Sequence, residues 1–309
     1  PVPGRRRRYP QNRRLGTASE TIHSLLDPEE SPGTVTDYGK NASLTYSDYL
    51  HISQLLEQQE CLCDPPAHDE MQFIVVHQVY ELWFRLILHE LDEIQHLLKA
   101  GSDEDIRNAV RLLHRVREIL KIGIAQLHIL ETMRPADFMA FRTRLNPASG
   151  FQSVQFREIE CALGLKDPQL ASYTKEDPRH AQLLDRLENE CIRDVFHEVL
   201  RSRGFDVKTP NEDRSEEDTE KTLHAFRTLY DDPDNNSPLY ELCEALVEID
   251  EHLVLWRRHH IMMVERQIGD KPGTGKGVTG DLDGIRYLST TLRTKIFPDL
   301  WNVRTMLTD

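Results

Sequence analysis

The chain reads as an all-α protein: a helical bundle in a single large domain, preceded by an N-terminal arm. Three observations predict this. Apolar residues recur at steps of three and four along most of the chain, the period of one helix face. The periodic stretches are bounded by Asp, Gly and Pro at positions that start and stop helices. No run alternates apolar and polar residues with the period of two that a strand requires, and no internal repeat is present.

Residues 1–43 carry Gly, Pro and Asn without periodicity and read as a leader or arm; residues 44–309 form the helical domain. Periodicity begins near Leu44, with Ile52, Leu55 and Leu56 as the first apolar face, and stops before Pro65-Pro66. Residues 69–99 open on Asp69 and end at Gly101; their first two-thirds is apolar nearly all round, which predicts a central, buried helix. Asp103 and Asp105 start the next helix, with Val110, Leu113, Val116, Ile119 and Leu120 on one face, continuing to Met133 with a break around Gly123. Pro135 opens a short helix through Phe138, Phe141 and Arg142, followed by a loop with Asn146, Pro147 and Gly150.

Helix returns at Phe151–Leu163, and residues 178–202 read as one long amphipathic helix ending at Gly204. The acidic stretch 206–220 reads as an exposed connection. Helices are predicted over 218–231 and, after Pro238, over 239–268. Gly269 to Asp283 holds five glycines in fifteen positions, a flexible loop, and helices over 284–295 and 298–307 close the chain.

The net charge of −14, from 38 basic and 52 acidic residues, argues against nucleic-acid binding, which needs a basic surface. The one basic cluster, Arg5–Arg8 with Arg13 and Arg14, lies in the leader, where it reads as a solvated tail or a subunit-bridging arm. No apolar run reaches the roughly 18–20 residues of a membrane span. The arginines are not followed by the apolar stretch of a signal peptide. Five cysteines are an odd number and too few for a disulfide scaffold, and the Cys61-x-Cys63 pair lacks a second pair at zinc-finger spacing. The five read as reduced thiols of a cytoplasmic protein.

Among fourteen histidines, two sit where a titratable ring is costly unless paired or used. His77 lies in mid-helix among Phe73, Ile74, Val76 and Tyr80, with Glu81 one turn on as its natural partner. His260 shares a helix face with Trp256 and Val264, and Met263 is adjacent. It reads either as a satisfied core residue or as an axial heme ligand. His259 points about 100° away, so the two cannot ligate one metal together. No H-E-x-x-H or C-x-x-C zinc pattern is present. Arg142 follows Phe138 and Phe141 and precedes Ser149 and Gly150. Its guanidinium fork suits a carboxylate, or equally a structural ion pair. Thr274, in Gly273-Thr274-Gly275, is placed to meet a ligand under a closing loop; Lys276 is not in a phosphate-loop frame.

Three runs in order resemble the tryptophan 2,3-dioxygenase family: HDEMQFIVVHQVYELWFRLILHEL (His68–Leu91), FRTRLNPASGFQSVQFREIE (Phe141–Glu160) and WRRHHIMMVERQIG (Trp256–Gly269), with the closing FPDLWNVRT (Phe297–Thr305). The resemblance covers roughly Leu44 to the C-terminus. It implies a heme-binding helical bundle carrying heme b (iron protoporphyrin IX), with O2 as co-substrate. The enzyme would open the indole ring of L-tryptophan to N-formylkynurenine. His260 would be the proximal iron ligand, and His77 the distal histidine that accepts from the indole N–H. Phe73 and Phe138 would line the pocket, Arg142 would bind the substrate carboxylate, and Ser149 would lie beside heme and oxygen. Thr274 would contact the substrate's ammonium and carboxylate.

Tyr46, Tyr49 and Leu50 match a segment that reaches into a neighbouring subunit's pocket, and the family assembles as a homotetramer, a dimer of dimers. One stretch departs from the pattern. The family loop G-T-G-G-S-S-G here reads GTGKGVTGDLDGIRYL, several residues longer and with Lys276 in place of a glycine. That departure keeps open a relative that hydroxylates a substituted tryptophan or indole. A non-catalytic heme or tryptophan sensor is the reading from another class.

Overall fold

The computed structural model describes residues 43–210, 213–269, 271, 289 and 291–307. These contain helices and turns, with no strand among them. They separate into a short N-terminal body ending at Leu56 and a main body beginning at Glu57.

In the short body, Thr45 caps α1 (Tyr46–Tyr49) through a reciprocal box with Asp48, its Oγ1 accepting from the Asp48 N–H at 3.2 Å. His51, at φ +50°, breaks the chain before α2 (Ile52–Leu55). The expected apolar face is not buried: Leu55 is 40% and Leu56 68% exposed. Two four-residue helices are too short to build a packed face of their own.

The main body is organised around α3 (His68–Ala100), α4 (Asp103–Leu130) and α11 (Ser237–Ile268), with α4 packed between the other two. α3 is 33 residues long and ends at Gly101, whose φ of +73° is the left-handed stop that glycine tolerates without strain. Val76, Tyr80, Phe84, Ile87, Leu91, Ile94 and Leu98 form its buried stripe, at the predicted three- and four-residue steps. Burial is not all round, however: Met71, Val75 and Leu82 remain exposed. Only the side facing the other helices is covered in this chain.

α4 starts from a Ser102–Asp105 capping box and runs unbroken. The break expected at Gly123 does not occur. A Cβ at Gly123 would lie 3.4 Å from Tyr80 Cε1 and 3.6 Å from Trp256 Cδ1, and the Tyr80 hydroxyl donates to the Gly123 carbonyl at 2.5 Å. The glycine lets three helices approach; it does not interrupt one.

α5 (Pro135–Arg142) begins on its proline, as read. A 3₁₀ turn, Gly150–Gln152, then precedes α6 (Val154–Leu163), and every residue of α6 is buried. The short α7 (Pro168–Ala171) follows. The long helix expected over 178–202 is instead two, α8 (His180–Glu188) and α9 (Ile192–Ser202). Asn189 leaves the helix at ψ 162°, and Cys191 starts the next one with its N–H and Sγ directed to the Asp194 carboxylate at 3.1 and 2.9 Å. α10 (Glu216–Asp231) precedes α11, and α12 (Pro298–Asn302) continues as a 3₁₀ turn to Met306. The helix expected over 284–295 lies largely outside the described residues. All five cysteines are free thiols.

Two buried polar groups join distant parts of the chain. Asp250 of α11 accepts from the N–H groups of Ile296 and Phe297 (3.0 and 3.2 Å) and from Trp301 Nε1 (3.0 Å), fastening the C-terminal segment to mid-helix. Arg193 of α9 donates to the Gly164 carbonyl at 2.7 Å and to the Ile296 carbonyl at 3.2 Å. Gly164 has φ +132°, and a Cβ there would meet Arg193 Nε at 3.0 Å. Gly164→Ala therefore combines backbone strain with overpacking and is expected to cost about 2–3 kcal/mol. A urea midpoint unchanged from the parent protein would refute this.

Candidate active site

The site is assembled from α3, α5, α6 and α11. Phe73 and His77 are one turn apart on α3, ring centroids 4.1 Å apart. Across from them, α5 contributes Phe138 at 5.8 Å and Phe141 at 5.6 Å from Phe73, and the two α5 rings meet edge to face at 5.3 Å. Phe141 is fully buried. It anchors α5 against α3, and Arg142 is the helix's last residue, half-buried at the rim.

His77 does not pair with Glu81. Its Nδ1 lies 2.7 Å from the Phe73 carbonyl. Because a carbonyl only accepts, Nδ1 carries the proton and Nε2 is the acceptor. Surrounding protein is the main reason its pKa lies below 6.5, although the ring keeps accessible surface. The ring is thus crowded by protein on one side while its other side stays accessible.

His260 lies close enough to His77 for the two rings to interact electrostatically. Its ring is stacked on Trp256, one turn earlier on α11, with centroids 5.3 Å apart and planes 2° from parallel. Trp256 in turn packs on Phe156 of α6 at 4.9 Å and meets Tyr80 edge to face at 6.2 Å. Burial and then His77 lower the His260 pKa to about 4, so the imidazole is neutral at physiological pH. Neither ring nitrogen has a hydrogen-bond partner among the described residues. His259 is directed elsewhere, against His128 at 5.7 Å. The small gap beside α6, bounded by Arg157, Cys161, Leu183 and Leu187, is lined by none of these site residues and has no room for water.

A neutral imidazole with a free lone pair is a metal ligand. Among the described residues no group of three or more His, Cys, Asp or Glu side chains is gathered to hold an ion. One histidine is a sufficient protein contribution only when the metal arrives with its other ligands, as iron does in a porphyrin. The residues therefore fit a heme.

The sequence profile of the tryptophan 2,3-dioxygenase family matches residues 30–190 and 176–307. This chain belongs to that family. Curated relatives named tryptophan 2,3-dioxygenase include one from Herpetosiphon aurantiacus, 41% identical over 263 residues, covering 85% of this chain and 98% of that one. Another, from Nocardioides, is 41% identical over 271 residues (87% and 96%). A third, from Kineococcus radiotolerans, is 37% identical over 297 residues (94% and 98%).

Of the dioxygenase residues expected from sequence, Phe73, His77, Phe138 and His260 lie in the elements just described, with Arg142 at their edge. Ser149 is half-buried in extended backbone ahead of the 3₁₀ turn, its N–H donating to Gln152 Oε1 at 2.9 Å. Tyr46, Tyr49 and Leu50 belong to the short N-terminal body, where both tyrosines are largely exposed. Thr274 lies outside the described residues. Sequence reasoning missed the polar joint between α3 and α6: Ser153 Oγ donates to Glu81 Oε1 and Gln155 Nε2 to Glu81 Oε2, both at 2.7 Å. The helix read from Phe151 begins only at Val154, with Ser153 as its cap, and nothing local named Glu81 as the partner of that serine.

Proposed function

We propose that this protein is a heme-dependent dioxygenase that inserts both atoms of O2 across the indole C2–C3 bond of L-tryptophan, giving N-formylkynurenine. The observation that carries the reading is the pair of neighbouring histidines, His260 without a hydrogen-bond partner among the described residues and His77 with Nδ1 held by the Phe73 carbonyl, which leaves Nε2 to accept. Family membership supports it. His260 would hold the heme, which supplies the redox-active iron that oxygen chemistry requires. The chain's own part is binding and orientation. Phe73 and Phe138 offer an apolar wall for the indole, His77 Nε2 accepts from its N–H, and Arg142 grips the carboxylate bidentately.

Ser149 would stand beside the heme and its oxygen, and Thr274 would meet the amino-acid end. Tyr46, Tyr49 and Leu50 complete a neighbouring pocket in a homotetramer built as a dimer of dimers. A cytoplasmic location, with no nucleic-acid or membrane partner, completes the proposal; no helix among the described residues is long and apolar enough to cross a membrane.

The test is turnover of L-tryptophan with labelled O2 by the heme-loaded, reduced protein. Formylkynurenine carrying two labelled atoms is expected. A singly labelled, hydroxylated product would favour the relative suggested by the long Lys276 loop, and heme and tryptophan binding without turnover would mark a sensor.

A pH dependence follows from His77. Because burial lowers its pKa below 6.5, the neutral acceptor form persists through that value and is lost only at lower pH. Affinity for L-tryptophan, read from the heme absorption spectrum, should therefore stay level down to the ordinary histidine range and fall only beneath it. The analogue methylated at the indole nitrogen, which has no proton to give, should not share this limb. A fall centred at or above 6.5 would refute the assignment.

A further inference from the structure

We propose that Glu81 is a positioning residue for the amino-acid substrate: through Ser153 and Gln155 it holds the segment that follows Arg142 in register with His77. This rests on the reading that His77 and Arg142 take opposite ends of one molecule.

Glu81 sits one turn beyond His77 on α3. No cation lies within ion-pair reach of it among the described residues. Its carboxylate instead takes two neutral donors from the start of α6, the Ser153 hydroxyl and the Gln155 amide, each at 2.7 Å. The same Gln155 amide also donates to the Glu81 main-chain carbonyl at 2.8 Å, so residue 155 is tied to both the side chain and the backbone of residue 81. Gln155 is buried. This half-buried carboxylate feels the Arg179 guanidinium only from beyond ion-pair distance. Its use is directional, because it can only accept.

That direction propagates. The single hydroxyl proton of Ser153 is spent on Glu81, so Ser153 Oγ presents a lone pair to the Phe156 N–H at 3.2 Å, which caps α6. Ser149 and the Gly150–Gln152 turn lie immediately upstream, bound to each other by the Ser149–Gln152 box. Residues 143–153 span from Arg142 to this cap. One end of the span is held by Phe141 against Phe73, the other by Glu81 through Ser153. Both holds are on α3, on either side of His77. The spacing between the group that takes the indole N–H and the group that takes the carboxylate is thereby set from a single helix. Sub-ångström errors in such spacing are costly for a substrate bound at both ends and unimportant for one bound at a single end.

The experiment is a double-substitution cycle on the full-length, heme-loaded protein, reading equilibrium binding from the heme absorption spectrum without turnover. L-tryptophan is the two-ended probe and 3-methylindole the one-ended probe. Glu81→Ala is expected to weaken L-tryptophan roughly tenfold and to leave 3-methylindole within about twofold. In an Arg142→Ala background, adding Glu81→Ala should weaken L-tryptophan little further, because coupled positions are not additive.

Glu81→Gln and Ser153→Ala, each of which keeps part of the joint, should show smaller losses of the same kind, and they carry the test if Glu81→Ala does not retain heme. Equal losses for both probes, or full additivity with Arg142→Ala, would overturn the positioning role. If Arg142→Ala alone leaves L-tryptophan affinity unchanged, the underlying carboxylate assignment fails instead.

Discussion

His260→Ala is expected to yield a folded, largely heme-free protein without measurable tryptophan oxidation. Among the described residues no cluster of three or more His, Cys, Asp or Glu side chains stands ready to hold the iron in place of His260, and the His77 ring is already fixed through Nδ1 to the Phe73 carbonyl. The side chain contributes little to folding, since among the described residues its ring makes no hydrogen bond and its aromatic contact is the stack on Trp256. Loss of cofactor should therefore come without loss of helicity. The measurement is the ratio of heme to protein absorbance after reconstitution, with far-ultraviolet circular dichroism as control. Full heme retention with an unchanged Soret band would sink the ligand assignment. So would collapse of the fold, because it would make the histidine structural.

How much of this was legible in advance depended on whether the information was local. Trp256 and His260 lie four apart, so one turn of helix puts them on one face, and their stack could be anticipated from spacing. The chain from Phe138 to Arg142 was readable for the same reason. Gly123 was misread because a glycine in a helix has two meanings, a break or a close approach. Only Tyr80 and Trp256, 43 residues upstream and 133 downstream, decide between them. Residues 178–202 were misread because Leu183, Leu187, Val195 and Val199 keep apolar spacing across the break. What interrupts the helix is the Cys191–Asp194 cap, a weak signal beside that pattern. Glu81 seemed destined for His77 at four residues' distance. Its true partners come from α6, which spacing along one helix cannot see.

The largest expected loss of stability follows from Glu160→Ala. Glu160 accepts from Arg157 Nη1 at 2.5 Å and from Arg257 Nη2 at 2.9 Å, joining α6 to α11 directly behind Trp256. All three side chains are under 10% exposed. Arg157 Nε and Arg257 Nη1 already lack partners, so the cluster has no spare acceptor. Removing the carboxylate strands two guanidinium groups away from water, a situation that costs about 3–5 kcal/mol. Arg157 keeps a partial refuge over the Phe156 ring at 5.0 Å; Arg257 has none of that kind. A fall of roughly 10 °C in melting temperature is expected for a chain of this size. Removing Glu198, whose partner Arg201 is on the surface, should leave it unchanged. Equal effects at the two positions would show that the buried cluster is no more than a surface pair.

α6 makes a broader point about how this chain can vary. Its ten residues include Gln155, Arg157, Glu158 and Glu160, letters that elsewhere mark a solvated face, and all of them are covered. Such a helix has no silent side on which neutral drift can accumulate. Gln155, Glu158 and Glu160 are bound to partners on other elements and Arg157 to Glu160 itself, so replacements there should be accepted only in matched pairs, Glu160 with Arg257 or Gln155 with Glu81. In a randomised library, survivors across 154–163 should be few and correlated, whereas survivors on the outer face of α10 should be many and independent. The same enclosure should make the α6 amide hydrogens among the slowest in the molecule to exchange with solvent.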